Sequence, residues 1–387
     1  MDANAWRLLD RRVETARFGP FTFQIGVDPN EVVLPLQRVE DAHQRFIASP
    51  LSQVANQLER EVVAGSVFGT NTIEGGMLTE EETAVTLALA PEAIQEIEQR
   101  RVVNIKAAYD RALQAAGVSG WRLDLDFIRE IHAAITRNLP HPRNQPGAFR
   151  DNPKTTVTHV GDAAHGGRYK PPQYGGDVHL LMRYYVEWHE SLVTADVPAL
   201  IRAPLVHLYY ELIHPFWDGN GRVGRVLEAT VLQAAGYRYA PFAMARYYLD
   251  NLDAYFTLFN VCRKRADKHD EYPNTPFIAF HLEGMRVVIN RLHDRVNQII
   301  AVLLFGRRIR QSLDTREINT RQYTILTQLL TLPPPASLER LRQSPWYQAL
   351  YLQRGDKTRQ RDLRQLRELG LIRIKADQVW LDLDRAF

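Results

Sequence analysis

The chain has 387 residues, 45% of them apolar and 24% charged, with a net charge of +3. This length exceeds one average core and predicts two or three domains, and the composition is that of a globular protein, not a disordered or fibrous one. The charge is too small for a protein that grips polyanions with its whole surface, no apolar run reaches the roughly 18 residues of a membrane span, and the single cysteine, Cys262, excludes an internal disulfide and a cysteine-based zinc site.

The first residues, MDANAWRLLDRRVETARF, interrupt their apolar positions with acids and bases and hold no secretory h-region, so a cytoplasmic protein is expected. Residues 41–64 and 92–116 carry long helical periodicity with few breakers. Between them TNTIEG, residues 70–75, reads as an ordinary helix fragment. Residues 154–172, KTTVTHVGDAAHGGRYKPP, start β-branched and alternating, turn through glycines and end on two prolines, which predicts a β-hairpin with a long loop. His159 and His165 in it are expected to be solvated, with no third ligand at metal-binding spacing. A helix is predicted over residues 199–213, with Ile201, Leu205, Leu208 and Leu212 on one stripe, and it ends at His214 because a residue before proline disfavours the α region. Another follows over 222–235, stopped by Gly236. Residues 298–311 read as a linking helix. From Thr320 two short helical patterns, a basic helix and a strand-like QVWLDLD suggest a small winged-helix domain.

The two central helices meet at HPFWDGNGRVGR, residues 214–225. Glycines let backbone N–H groups approach a ligand, and the start of a helix offers unpaired N–H groups and a dipole that favours an anion. Arg222 and Arg225, three apart, suit a polyphosphate. Asp218 is a hard oxygen ligand suited to Mg²⁺ shared with phosphates. An imidazole titrates near neutrality, at about 6.5, so His214 is a candidate base for a hydroxyl proton. A base, a metal ligand and an anion site suffice for phosphoryl or nucleotidyl transfer.

HPFWDGNGRVGR resembles the signature of Fic-domain proteins, HPF-x-[DE]-GNGR-x-x-R, at every defined position. Pro146-Gly147 with Phe149-Arg150 looks like the segment before the Fic flap, and residues 154–172 fall where that flap belongs. The resemblance implies a mainly α fold with a β-hairpin flap, a helical N-terminal extension and a C-terminal winged-helix domain. The expected divisions are 1–110 (helical, with an inhibitory helix near 66–75), 111–265 (Fic core), 266–315 (linking helices) and 316–387 (winged helix). It also implies a protein adenylyltransferase that moves AMP from ATP to a Tyr, Ser or Thr hydroxyl of a target protein. In that reading His214 is the base and Asp218 holds Mg²⁺. Asn220 with the backbone of Gly219 and Gly221 cradles the phosphates, Arg222 and Arg225 bind the outer ones, and Phe216 anchors the loop in the core. Doc-type kinases carry lysine at the place of Gly221, so Gly221 favours nucleotidyl transfer.

Within such a protein TNTIEG resembles the inhibitory motif [ST]-x-x-x-E-[GN], here Thr70, Glu74 and Gly75. A carboxylate paired with Arg225 competes with the ATP γ-phosphate for the same guanidinium. The same glutamate also has a place in the reverse reaction, removing AMP. The flap edge, Thr156, Val157, Thr158, His159 and Val160, is expected to present the target by strand addition, and Tyr255 and Phe256 to wall the adenine. Residues 354–375 carry eight Lys or Arg against three Asp or Glu, so residues 358–369 are a candidate recognition helix for DNA. That feature sustains a rival reading, a nucleotide-sensing DNA-binding regulator. A homodimer is a further expectation from the resemblance, and no membrane partner is expected.

Overall fold

The computed structural model describes residues 6–51 and 54–383; the first five residues of the N-terminal segment, two within 41–64, and 384–387 lie outside the described residues. Most of the chain is helical, but the N-terminal region opens on a hairpin where helix was expected. Val13, Phe21 and Phe23 alternate with exposed residues, and β1 (Arg11–Glu14) pairs antiparallel with β2 (Pro20–Phe23), Val13 opposite Phe21. The buried Phe23 ring packs against Trp188 and Tyr209. The carboxylate of Asp177 accepts the successive N–H groups of Ala16, Arg17 and Phe18, which fixes the turn.

The helix expected over 41–64 is two helices. α1 (Pro29–Ile47) starts with Asp28 as cap and Pro29 in its first turn. It ends before Ser49-Pro50, where a proline cannot continue the pattern, and α2 (Ala55–Ile73) follows. α3 (Glu80–Leu87) is opened by a Thr79–Glu82 capping box. α4 (Ile97–Ala116) begins five residues later than predicted, after a short 3₁₀ turn at Pro91–Ala93. The chain then runs through α5 (Leu125–Thr136), α6 (Gly175–Thr194), α7 (Ala199–Ile213), α8 (Asn220–Ala234), α9 (Ala240–Asp250), α10 (Leu252–Asp267) and α11 (Thr275–Asp314). The short helix expected over 298–311 is part of this last, 40-residue helix.

The described residues fall into two compact units. One comprises the chain up to Ala48 and Ala55–Leu292, the other the residues between and those from His293 onward. In the first unit α7 and α8 are buried almost all round, as helices are when apolar residues cover every face. Leu205, Leu208, Val226 and Leu227 are fully buried, each burial stabilising by about 1.5–3 kcal/mol. Their connecting turn is therefore held in place from both sides.

In the second unit α12 (Thr320–Thr331), opened by an Asn319–Gln322 capping box, precedes β3 (Ala336–Ser337), α13 (Leu338–Gln343), α14 (Pro345–Leu350), α15 (Asp356–Glu368), β4 (Ile372–Lys375) and β5 (Gln378–Leu381). The antiparallel sheet has the order β3-β5-β4. Ile325, Leu326, Leu341, Leu366, Ile372 and Val379 form its core. Asp362, on the basic α15, turns inward, where it accepts from Arg321 Nε and the Tyr351 hydroxyl, both at 3.0 Å.

Candidate active site

His214 ends α7 in left-handed backbone, with φ 50° and ψ 62°, a conformation that costs a non-glycine residue about 1–3 kcal/mol unless its surroundings enforce it. They do. Its N–H donates to Tyr210 O at 2.8 Å, and its carbonyl accepts from Arg150 Nε at 2.7 Å. Arg150 is fully buried and also donates to Asn152 Oδ1 and Pro172 O. Burial pushes its guanidinium down to about 10, and four carbonyl or amide acceptors, the Ile213 carbonyl being the fourth, replace the water it has lost. Arg150 thus ties the turn to both ends of the flap segment.

Phe216 is fully buried, as expected, and stacks on the His132 ring with centroids 3.6 Å apart. His132 Nδ1 accepts the Gly147 N–H at 2.9 Å, so the proton sits on Nε2, which donates to the Asp218 carbonyl at 3.1 Å. Burial pushes this imidazole down to about 4, which keeps it neutral. The Asn220 side chain is buried and braces the turn: Oδ1 accepts from Phe216 N–H and Nδ2 donates to Phe216 O, both at 2.9 Å. An amide is needed because the turn leaves one donor and one acceptor to satisfy. Asn220→Ala is expected to lower stability by about 2–3 kcal/mol through two orphaned backbone groups, measured by denaturant unfolding; a change below 0.5 kcal/mol contradicts this.

Gly219 caps α8 without a side-chain bond, so the first-turn N–H groups remain available to an anion. Asp218 accepts from Arg222 Nη2 through both carboxylate oxygens, at 2.9 and 3.0 Å. Burial pushes Asp218 upward, but the Arg222 charge outweighs it and holds the carboxyl below its ordinary range. Arg222 is itself buried, and its Nε and Nη1 have no partner. Among the described residues no cluster of three or more His, Cys, Asp or Glu forms a metal cage. A single half-exposed carboxylate beside orphaned guanidinium donors nevertheless fits Mg²⁺ arriving with phosphates, because that ion keeps waters and needs only one or two protein carboxylates.

Glu74 follows the last turn of α2, with Gly75 in left-handed backbone at φ 79° ending the helix. Its Oε1 lies 2.8 Å from Arg225 Nη2, which also donates to Thr70 O at 3.3 Å. Thr70 is fixed by its hydroxyl against Tyr109 Oη at 2.8 Å, and Arg101 Nη2 donates to the Glu74 carbonyl at 3.0 Å. A Cβ on Gly221 would stand 2.2 Å from Glu74 Oε1, so a side chain there would push the carboxylate from its place against the start of α8. Burial pushes Glu74 upward, yet Arg225, with Arg222 and His214 behind it, prevails and keeps the carboxyl below its ordinary value.

Glu74, His214, Gly221 and Arg225 line one cavity of about 270 Å³. Val160, Leu212, Tyr255, Phe256 and Phe259 supply its apolar wall, so the two predicted aromatics are both present. Tyr255, however, is 1% exposed and turns its hydroxyl to Arg225 at 3.1 Å. Sequence reasoning missed Leu212, Phe259 and Glu211. The Glu211 Oε2 atom lies 3.3 Å from His214 Nδ1, on the same face one turn earlier, and the i, i+3 spacing was the signal for it.

The flap segment is not a laddered hairpin. Val160 and Tyr169 form a single antiparallel bridge, because side chains replace the strand partner. Gln173 accepts from Thr158 N–H at 2.7 Å and donates to Thr158 O at 3.1 Å, and Asn152 donates to Thr156 O at 3.2 Å. His165 is half-buried at the surface of the flap. It sits between Asp162 and Asp253, at 2.9 and 3.2 Å, and the hydrogen bond to Asp162 raises its pKa. Cys262 is free and buried.

Residues 122–232 match the model of the Fic/DOC family, and the chain thus carries a Fic domain that contains the whole 214–225 turn; Glu74 and Tyr255 lie outside the matched segment. The protein adenylyltransferase Fic of Drosophila ananassae is 27% identical over 190 residues, 48% of this chain and 35% of that protein. The chain spans about a third of the length of the curated relatives it matches. A Fic domain containing signaling protein from Bacteroides thetaiotaomicron VPI-5482 superposes with TM-score 0.57 at 17% identity, covering 68% of this chain and 97% of the other. A Fic family protein from Desulfovibrio desulfuricans G20 gives TM-score 0.57 at 18% identity over 92% and 96%. The fold is that of Fic proteins. Among the described residues no helix is long and apolar enough to cross a membrane.

Proposed function

We propose that this protein is a protein adenylyltransferase restrained by its own Glu74. The observation that carries the reading is the 2.8 Å pair between Glu74 and Arg225 at the mouth of an anion-binding helix start, in the same cavity as His214. In the proposed reaction a target Tyr, Ser or Thr oxygen attacks the α-phosphorus of ATP. The new P–O bond forms as the bond to the β-phosphate oxygen breaks, and pyrophosphate leaves with that electron pair. His214 Nε2 takes the hydroxyl proton, with Glu211 Oε2 3.3 Å from Nδ1, near enough to favour the imidazolium that forms. Asp218 would hold Mg²⁺, which neutralises triphosphate charge. The unpaired N–H groups of the first α8 turn, Gly221 among them, and the free donors of Arg222 would receive phosphate oxygens. The apolar wall with Phe256 and Phe259 suits an adenine ring.

For the target, the extended segment Thr156–Val160 keeps one free edge. Gln173 and Asn152 occupy the inward-facing groups, and no hydrogen bond among the described residues uses the backbone of Val157 or His159. Those groups are where a target strand would pair. Incubation with ATP labelled at the α-phosphate is expected to label protein, and γ-labelled ATP is expected not to. Label from the γ-phosphate would overturn nucleotidyl in favour of phosphoryl transfer.

A second activity is supported by α15. Its Lys357, Arg361 and Arg364 are exposed and fall on one face, while Asp362 is turned into the core. The order helix, strand, helices, strand hairpin supports reading residues 316–387 as a winged helix, and this face suits the phosphates of duplex DNA. Duplex retention should fall with salt, and Arg361→Ala should lower the log–log salt slope by about 1. Retention independent of salt would contradict the reading, leaving the face to a partner protein or a homodimer.

A further inference from the structure

Behind Arg225 lies a buried polar chain that the proposed reaction does not use. Arg225 Nη1 donates to Tyr255 Oη at 3.1 Å, and the same oxygen lies 3.0 Å from His207 Nε2. The phenol accepts from the guanidinium, so its own proton goes to Nε2. His207 then carries its proton on Nδ1, which donates to Glu228 Oε2 at 2.6 Å. Glu228 also accepts from the Tyr248 hydroxyl at 2.8 Å, whose oxygen faces His281 Nδ1 at 3.0 Å. All five residues behind Arg225 are buried.

Their protonation follows from their surroundings. Burial pushes both phenols far above their ordinary range, so Tyr255 and Tyr248 keep their protons. Burial also pushes Glu228 upward, but His281 and His207 outweigh it and hold the carboxylate ionised. Every donor therefore has one direction. Desolvating a carboxylate, two imidazoles and two phenols is unfavourable compared with apolar packing, so stability does not account for the chain. Its outer end does: it terminates on the guanidinium that faces the cavity.

We propose that Tyr255, His207 and Glu228 form a positioning relay for Arg225. The relay holds Nη1 inward and thereby aims Nη2 at one anion site, where the Glu74 carboxylate and the outer phosphate of a nucleotide compete. Tyr255 is then a polar positioning residue, not a wall for the base. This inference rests on the reading of the cavity as a nucleotide site.

The test uses the full chain carrying Glu74→Gly, with Mg·ATP and AMP affinities measured by calorimetry. Tyr255→Phe removes one oxygen and keeps the ring, which stacks on Tyr248 at 4.5 Å. It is expected to weaken ATP about tenfold, the loss of one hydrogen bond to a charged group, and to leave AMP, which lacks the outer phosphates, unchanged. Glu228→Gln keeps an acceptor for His207 and is expected to lose less, about threefold, again for ATP alone. Equal loss for ATP and AMP, or no loss for either, overturns the relay. A Glu74→Gly parent that binds neither nucleotide overturns the cavity reading and the relay together, so the two failures are told apart.

Discussion

Glu74→Gly is expected to raise transfer of AMP to protein by about ten- to a hundredfold. The pair it removes is charge-assisted, about 1.5–3 kcal/mol, and it engages a guanidinium that, in the proposed reaction, would hold the outer phosphate. The substitution releases more than a charge. Gly221 is adjacent to Glu74 Oε1, so the carboxylate covers the start of α8 as well as Arg225, and its loss uncovers both. The pair should also survive mild acid. The folded Glu74 carboxyl is held below its ordinary value, so the pairing is fully present above that ordinary value and is lost only as pH falls through the lower, folded one. Lowering the pH from 7 to 6 is therefore expected not to relieve the wild-type protein. Activity that rises over this interval to the Glu74→Gly level would contradict the account.

The second large effect is a loss. His214→Ala in the Glu74→Gly background is expected to lower the rate by about 10²–10⁴, the usual contribution of a positioned general base. Mg·ATP affinity should change little, because in the proposed reaction His214 takes the hydroxyl proton while the phosphates would rest on α8. Binding measured beside turnover checks this. A His214→Ala protein that binds ATP and still transfers AMP at the parental rate would remove the base from the mechanism. The backbone argues the same way: a left-handed histidine held by Arg150 and Tyr210 is strain maintained at one point of the turn.

Much of this was legible in the chain. The helix–turn–helix corner could be read because apolar periodicity stops at a proline and resumes after glycines, both local signals. Glu74 could be read through its motif, although its partner lies 151 residues away. Four features were not legible, each for a tertiary reason. Asn220 has the composition of a ligand residue, but its amide is consumed by Phe216, which only the folded turn reveals. The flap alternates like a strand, yet Gln173 and Asn152 stand where the partner strand was expected. The N-terminal hairpin was missed because its apolar positions, Val13, Phe21 and Phe23, are few and gain their meaning from Trp188 and Tyr209 far along the chain. The His207–Glu228 pair lay hidden in two helices that read simply as core.

The central claim is that Glu74 and the outer phosphate of ATP compete for Arg225. The most direct measurement is the rate of α-phosphate label incorporation for wild type, Glu74→Gly and Glu74→Gly/Arg225→Ala, with Mg·ATP at one subsaturating concentration. The account predicts a low rate, a rate about ten- to a hundredfold higher, and a return to the low rate. Equal rates for wild type and Glu74→Gly, or a double variant as fast as Glu74→Gly, would contradict it.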